Sequence, residues 1–247
     1  MKRIAVVLGL LLTLALSVRA TEWSPVERTC PICKHKHEYQ EIVSYGSYIY
    51  SWPSKYQYVF WPLTDNPSVY CCPVCHFSAY MWDFDKVPES KVDTLTKFLQ
   101  TVKLDKEYKD YQDIPMTTRL EIAENVYKII EQKSEFWCKF YRVLGYHYDQ
   151  DKNAIKAKES RLKALETAKQ MLADTTYRGQ EKEILFIAAA MHNFVGQKDS
   201  ALAYLDKASA LTYKNKSWKV ENAKGLDGYL SDLIKQYKEF IRKEDEK

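Results

Sequence analysis

Six cysteines could do chemistry in this chain, and four of them come in pairs. Cys30-Pro31-Ile32-Cys33 and Cys72-Pro73-Val74-Cys75 are two Cys-Pro-x-Cys turns. A two-residue spacing lets both sulfurs of a turn face the same way, so two turns offer four soft ligands to one tetrahedral ion. Zn²⁺ takes thiolates at about 2.3 Å in that geometry. Proline presets one backbone angle and carries no N–H, so each turn starts stiff. The pattern predicts a structural zinc on Cys30, Cys33, Cys72 and Cys75. Four thiolates close the coordination sphere, whereas a catalytic zinc keeps a position open. No catalytic residue is therefore assigned.

Three other chemistries compete for these sulfurs. Cys72-Pro73-Val74-Cys75-His76 has the Cys-x-x-Cys-His spacing that attaches c-type haem. His76 would then be the proximal ligand and Met81 or Met116 the distal one, and Cys30 and Cys33 would lose their role. A Cys-x-x-Cys at a helix start can also run thiol–disulfide exchange, although no βαβ pattern is visible around either turn. Cross-pairing of the two turns as disulfides is the remaining alternative, favoured by an even cysteine count and an oxidising compartment. His35 and His37 read as exposed hairpin residues, because four cysteines already fill a tetrahedral site. Lys34 and its neighbours would offset the net negative charge of a zinc tetrathiolate. Cys71 points away from Cys72 on an extended strand and is a spare thiol or a partner for Cys138. Cys138, set among aromatic residues, reads as a small buried hydrophobe. His192 reads as a packed or partly exposed helical residue. The sequence holds no His-Glu-x-x-His helix, Gly-x-Ser-x-Gly elbow or phosphate loop.

The compartment follows from the first twenty residues. Lys2 and Arg3 precede an apolar run from Ile4 to Val18, and Val18-Arg19-Ala20 resembles a leader cleavage site. The run falls short of the about 20 apolar residues a membrane span needs. The expectation is export, to the periplasm or outside, after cleavage near Ala20. Lys2, Arg3 and Arg19 account for three units of the formal net charge of +4. What remains is nearly neutral, which argues against a nucleic-acid partner and against a membrane contact beyond the leader.

The elements that must position the cysteines divide the chain into a leader (1–20), a zinc-ribbon-like, aromatic-rich module (21–89) and a helical domain (90–247). Residues 21–29 form a short leading strand or arm. The interval between the turns is crowded with rings, including Tyr39, Tyr45, Trp52, Tyr58, Trp61 and Tyr70. Val43-Ser44-Tyr45 and Tyr56 to Trp61 have strand-like composition. These rings pack a small metal-centred core or present a ligand face. From Val92 the apolar period becomes helical. Ser90 caps a helix carrying Leu95, Phe98, Leu99 and Val102, and Thr117 caps one with Leu120, Ala123, Val126, Tyr127 and Ile130 inside. Phe136 to Leu144 continues in a helix broken near Gly145. Asn153 to Leu172 puts Ile155, Leu162, Leu165, Ala168 and Leu172 on one side. Glu183 to Leu211 is a helical hairpin that turns at Val195-Gly196, with Asp199 as its second cap. Its small residues Ala189, Ala201 and Ala208 suit a tetratricopeptide-type unit, and Phe136 to Leu172 is a looser copy. A last helix over Leu226 to Arg242 closes the stack. The expected class is α+β, mostly α. Its expected partner is a protein or peptide on the helical array.

Two Cys-Pro-x-Cys turns, the second after Asp65-Asn66-Pro67 and Tyr70, followed by such helices, resemble a bacterial family catalogued as domain of unknown function 2225. The resemblance implies a metal-knuckle module joined to helices and no established activity. Its members are largely cytoplasmic, so the leader is a departure. Knuckles of this kind favour glycine after the second cysteine, where positive φ is needed. Lys34 and His76 stand there instead.

Overall fold

A computed structural model describes residues 21–45, 62–214 and 220–245. The leader, most of the aromatic interval and the Tyr56 to Trp61 segment lie outside the described residues. The architecture is α+β and mostly α: two small antiparallel hairpins, then a tetratricopeptide-like array.

Strands β1 (Thr21–Thr29) and β2 (Lys36–Tyr45) pair antiparallel, with Val26 opposite Tyr39 and Thr29 opposite Lys36. Strands β3 (Val69–Cys71) and β4 (Ser78–Tyr80) form a shorter pair, with Cys71 opposite Ser78. Each Cys-Pro-x-Cys stretch is the tip of one hairpin. Pro31 and Pro73, which have no N–H to donate to a ladder, thus fall in the turns, whereas Pro25 sits within β1 opposite Gln40. Rings join the hairpins. Tyr39 of β2 stacks on Tyr70 of β3 with centroids 4.4 Å apart, and Tyr111 and Phe84 lie 4.9 and 5.1 Å from Tyr39. All four are fully buried.

Seven helices follow among the described residues: α1 (Val92–Leu99), α2 (Met116–Ile130), α3 (Ser134–Gln150), α4 (Ala154–Ala173), α5 (Glu181–Phe194), α6 (Lys198–Ser209) and α7 (Val220–Asp245). From α3 onward each helix packs on the next. Gly196 takes a positive φ of 84° at the turn between α5 and α6, where glycine costs least. Ala189, Ala201 and Ala208 are fully buried and permit the close crossing expected of them.

The apolar residues form two cores that meet at α3. The first runs from Cys30 through the ring cluster to Leu95, Leu120, Tyr127, Phe140 and Leu144. It crosses residue 90, so α1, α2 and one face of α3 share a core with both hairpins. The second gathers Cys138 with α4 to α7, and contains Leu165, Phe186, Met191, Leu205, Leu230 and Tyr237.

Several local expectations are corrected. Ser90 lies in a 3-10 turn, and Lys91 precedes α1 without a side-chain cap. Thr117 lies inside α2, where its hydroxyl donates to Asp151 at 2.8 Å. Gln197, not Asp199, flanks the start of α6. Helix α3 runs unbroken through Gly145; a Cβ there would stand 3.2 Å from Arg161 Cγ and 3.4 Å from the Ala157 carbonyl, so the glycine lets α4 approach. On α4 the buried face is Ala157, Ala164, Leu165, Ala168 and Met171, while Ile155 is 73% exposed and Leu162 41%. Hydrophobicity placed Leu165 and Ala168 inside as found but misplaced Ile155 and Leu162, because Arg161 and Ser160 occupy the inner face there.

Candidate metal centre

The two hairpin tips meet. The ligand sulfurs of Cys30, Cys33, Cys72 and Cys75 all lie within 4.8 Å of one another, a cluster able to hold a metal ion. Cys30 and Cys75 sulfurs are 3.6 Å apart, and Cys33 and Cys72 sulfurs 3.5 Å. A regular tetrahedron of thiolates at about 2.3 Å from its centre has edges of about 3.8 Å. The cluster is close to that size. A disulfide needs about 2.05 Å, and all six cysteines are free.

The two turns are built alike. Lys34 N–H donates to the Cys30 carbonyl at 3.0 Å, and His76 N–H to that of Cys72 at 2.8 Å. Cys30 N–H donates to His35 O at 2.8 Å, and Cys72 N–H to Phe77 O at 2.9 Å. Closing both rings puts the residue after the second cysteine in the left-handed region: Lys34 and His76 each have φ of 63°. The position that favours glycine is thus real, and two ordinary side chains accept it. Lys34 Nζ also donates to Pro31 O at 2.8 Å, which keeps its charge over the turn. Lys36 is drawn off to Glu27 at 2.8 Å.

The sulfurs influence one another's protons. Neighbouring thiols of Cys30 and Cys75 donate to Cys72 and hold it well below the ordinary thiol range, helped by the N–H groups of Cys75 and Val74. Cys30 is pushed up to about 12, first by its hydrogen bond to Cys72 and then by burial. Cys75 is raised further, first by Cys30 and then by Cys72. Thiolates crowded this closely disfavour one another unless a cation sits between them, and an ion would displace the protons they hold.

The remaining candidates stay apart from the cluster. His35 is exposed, as expected; His37 is not, being half-buried with its ring 5.2 Å from Tyr39 and 6.4 Å from Tyr111. Cys71 is fully buried beneath the second turn, its sulfur 3.8 Å from His76 O, and burial pushes its thiol up to about 11. Cys138 belongs to the second core, against Ala164 O at 3.7 Å, so it is a buried hydrophobe and no partner for Cys71. Met81 is buried in the first core. His192 is buried on α5, bonded to Gln197 at 2.6 Å. Among the described residues no helix is long and apolar enough to cross a membrane.

What the sequence did not reveal is the clamp behind the second turn. Arg119 of α2 is fully buried. Its guanidinium donates to Ile114 O at 3.0 Å, Asn66 O at 2.8 Å and Val69 O at 2.7 Å, and also to Asn66 Oδ1. One planar cation thus ties α2 to the segment leading into β3. Tyr111 assists: its hydroxyl accepts from Gln40 N–H at 3.1 Å and donates to Pro67 O at 3.3 Å, so it links β2 to the segment leading into β3. Neither residue sits in a motif, and apart from Ile114 their partners lie dozens of residues away.

Residues 26–239 match a family described as "uncharacterized protein conserved in bacteria (DUF2225)". No curated protein and no solved structure matches the chain.

Proposed function

The chain belongs to this bacterial family, whose description names no activity, and from that premise we propose that it is an exported, non-catalytic zinc protein whose helices serve as an interaction scaffold. The observation that carries the proposal is the convergence of Cys30, Cys33, Cys72 and Cys75 within 4.8 Å. Four sulfurs in that space suit Zn²⁺ and leave no ligand position for a substrate. Zinc would pin together two hairpins that are too small to be stable alone. The haem reading would need Cys72 and Cys75 to leave the other two sulfurs, and the exchange reading would need a reactive pair without metal.

The scaffold role is supported by a cleft of about 460 Å³ bordered by α2, α3 and α4. Trp137 and Tyr141 stack within it, with centroids 5.4 Å apart, and Lys128, Thr167 and Gln170 surround them. Aromatic anchors ringed by polar groups suit a peptide segment. No nucleic-acid or lipid role is proposed, since the mature chain is nearly neutral.

Export is tested by locating the processed chain after expression in a bacterial host; a start near Thr21 outside the cytoplasm supports it. Retention of the full chain in the cytoplasm would refute it. Elemental analysis of the purified protein tests the metal: zinc supports the reading, and its absence with the four sulfurs oxidised would refute it.

A further inference from the structure

The four sulfurs of the cluster are not equally accessible. Cys30 and Cys72 are buried and Cys75 is half-buried, but Cys33 is exposed. It borders a groove of about 410 Å³ that also includes Cys75, Ile32, Val74, Thr96 and Leu99. The short sulfur contacts are crossed: Cys33 reaches Cys72 at 3.5 Å and Cys30 reaches Cys75 at 3.6 Å, each pair joining one hairpin tip to the other. We propose that Cys33 is an oxidation site through which a hydroperoxide converts the metal-bound cluster into two crossed disulfides, Cys33–Cys72 and Cys30–Cys75, and releases the ion. This inference rests on the zinc reading.

The chemistry balances with the hydroperoxide as oxidant. The Cys33 thiolate attacks the terminal oxygen of ROOH, the O–O bond breaks, and RO⁻ takes a proton to leave as an alcohol. Cys33 becomes a sulfenic acid. The Cys72 thiolate attacks that sulfur, the S–S bond forms, and hydroxide leaves as water with a second proton. The ion has then lost two of its ligands. A second hydroperoxide joins Cys30 to Cys75 in the same way. In total four thiolates, two hydroperoxides and four protons give two disulfides, two alcohols, two waters and the freed ion.

The crossed pairing has a structural consequence that pairing within each turn would lack. Crossed disulfides tie together the same two hairpins that the ion tied, so the ring cluster between them stays closed after the ion is gone. Cys71 and Cys138 are both buried, one beneath the second turn and one in the second core, and take no part.

The test uses the whole zinc-loaded chain and hydrogen peroxide as the probe. Zinc content is measured first, so failure of the metal reading shows before any oxidant is added. Peroxide is then titrated while a metallochromic chelator follows the ion, and non-reducing peptide mapping locates the linkages. The expected result is complete release at two equivalents, with six free thiols falling to two and peptides joined as Cys33–Cys72 and Cys30–Cys75. Pulsed alkylation during the reaction should show Cys33 protected or oxidised first. Linkages within each turn, a disulfide involving Cys71, or zinc retained at excess peroxide would each overturn the proposal. Cys71→Ala serves as the control that folds and binds zinc, and should release it at an unchanged rate; a tenfold slower release would also contradict the assignment.

Discussion

At the residue scale, the two turns pay a conformational penalty that their sequence announces. Lys34 and His76 both hold φ near 63°, which for a non-glycine residue costs about 1–2 kcal/mol. His76→Gly should relieve that strain, less the greater entropy glycine has when unfolded. The expected gain is up to about 1 kcal/mol, read as a higher thermal midpoint with zinc content unchanged. A residue that ligated haem could not be replaced this way, so loss of a cofactor or of stability would count against the account. A second residue sets an acid limit. His147 on α3 is buried, its ring N–H donates to Leu63 O, and burial followed by the nearby Arg119 charge lowers its pKa to about 4. The unfolded chain binds a proton near pH 6.5, so it holds more protons than the folded chain between pH 6.5 and about 4. Stability then falls as pH falls through that window. The full shift corresponds to about 3 kcal/mol. His147→Gln should flatten the pH dependence of denaturant midpoints over that range, and an unchanged slope would contradict the burial argument.

At the scale of elements, α2 holds the segment leading into the second hairpin through Arg119. Arg119→Ala would leave the buried carbonyls of Ile114 and Val69 without this donor, each costing about 1–3 kcal/mol. A loss of more than about 3 kcal/mol of stability is expected, together with weaker zinc retention against a chelator. Arg119→Lys should rescue only part of this, because an ammonium cannot span the same fork. Wild-type zinc retention in Arg119→Ala would separate the clamp from the metal centre. The hairpin tips and the helical periods were readable beforehand, since both depend on short-range spacing: Cys-x-x-Cys on one hand, Leu120, Ala123 and Val126 on the other. The clamp was not, because it joins Arg119 to carbonyls near Asn66 and leaves no periodic trace. Nor was the true face of α4, where Arg161 turns inward to Asp149 and Phe194 while Ile155 turns out. Helix ends were also misjudged at Ser90 and Asp199. Cap preferences describe populations of helices, and here the preceding turns decided where each helix begins.

At the scale of the molecule, two cores meeting at α3 imply two responses to metal removal. The first core includes the ring cluster and α1 to α3, so an ion held at the hairpin tips would support helices as well as hairpins. With free zinc a thousandfold above its Kd, binding adds about 4 kcal/mol to that unit. Chelation should lower the unfolding transition of the first core and leave that of α4 to α7 in place, read by hydrogen exchange across the two units. Uniform loss of protection would show that the cores are one cooperative body. Zinc affinity should also rise with pH, because the metal-free Cys30 and Cys75 hold protons that the ion must displace.

The central claim is that four cysteines from two hairpin tips share one ion. Elemental analysis with an absorption spectrum, on protein exported by its host and purified without added metal, tests it most directly. The account predicts one zinc per chain and no visible absorption band. A metal-free chain with all four turn sulfurs oxidised, or a coloured protein carrying haem, would contradict it.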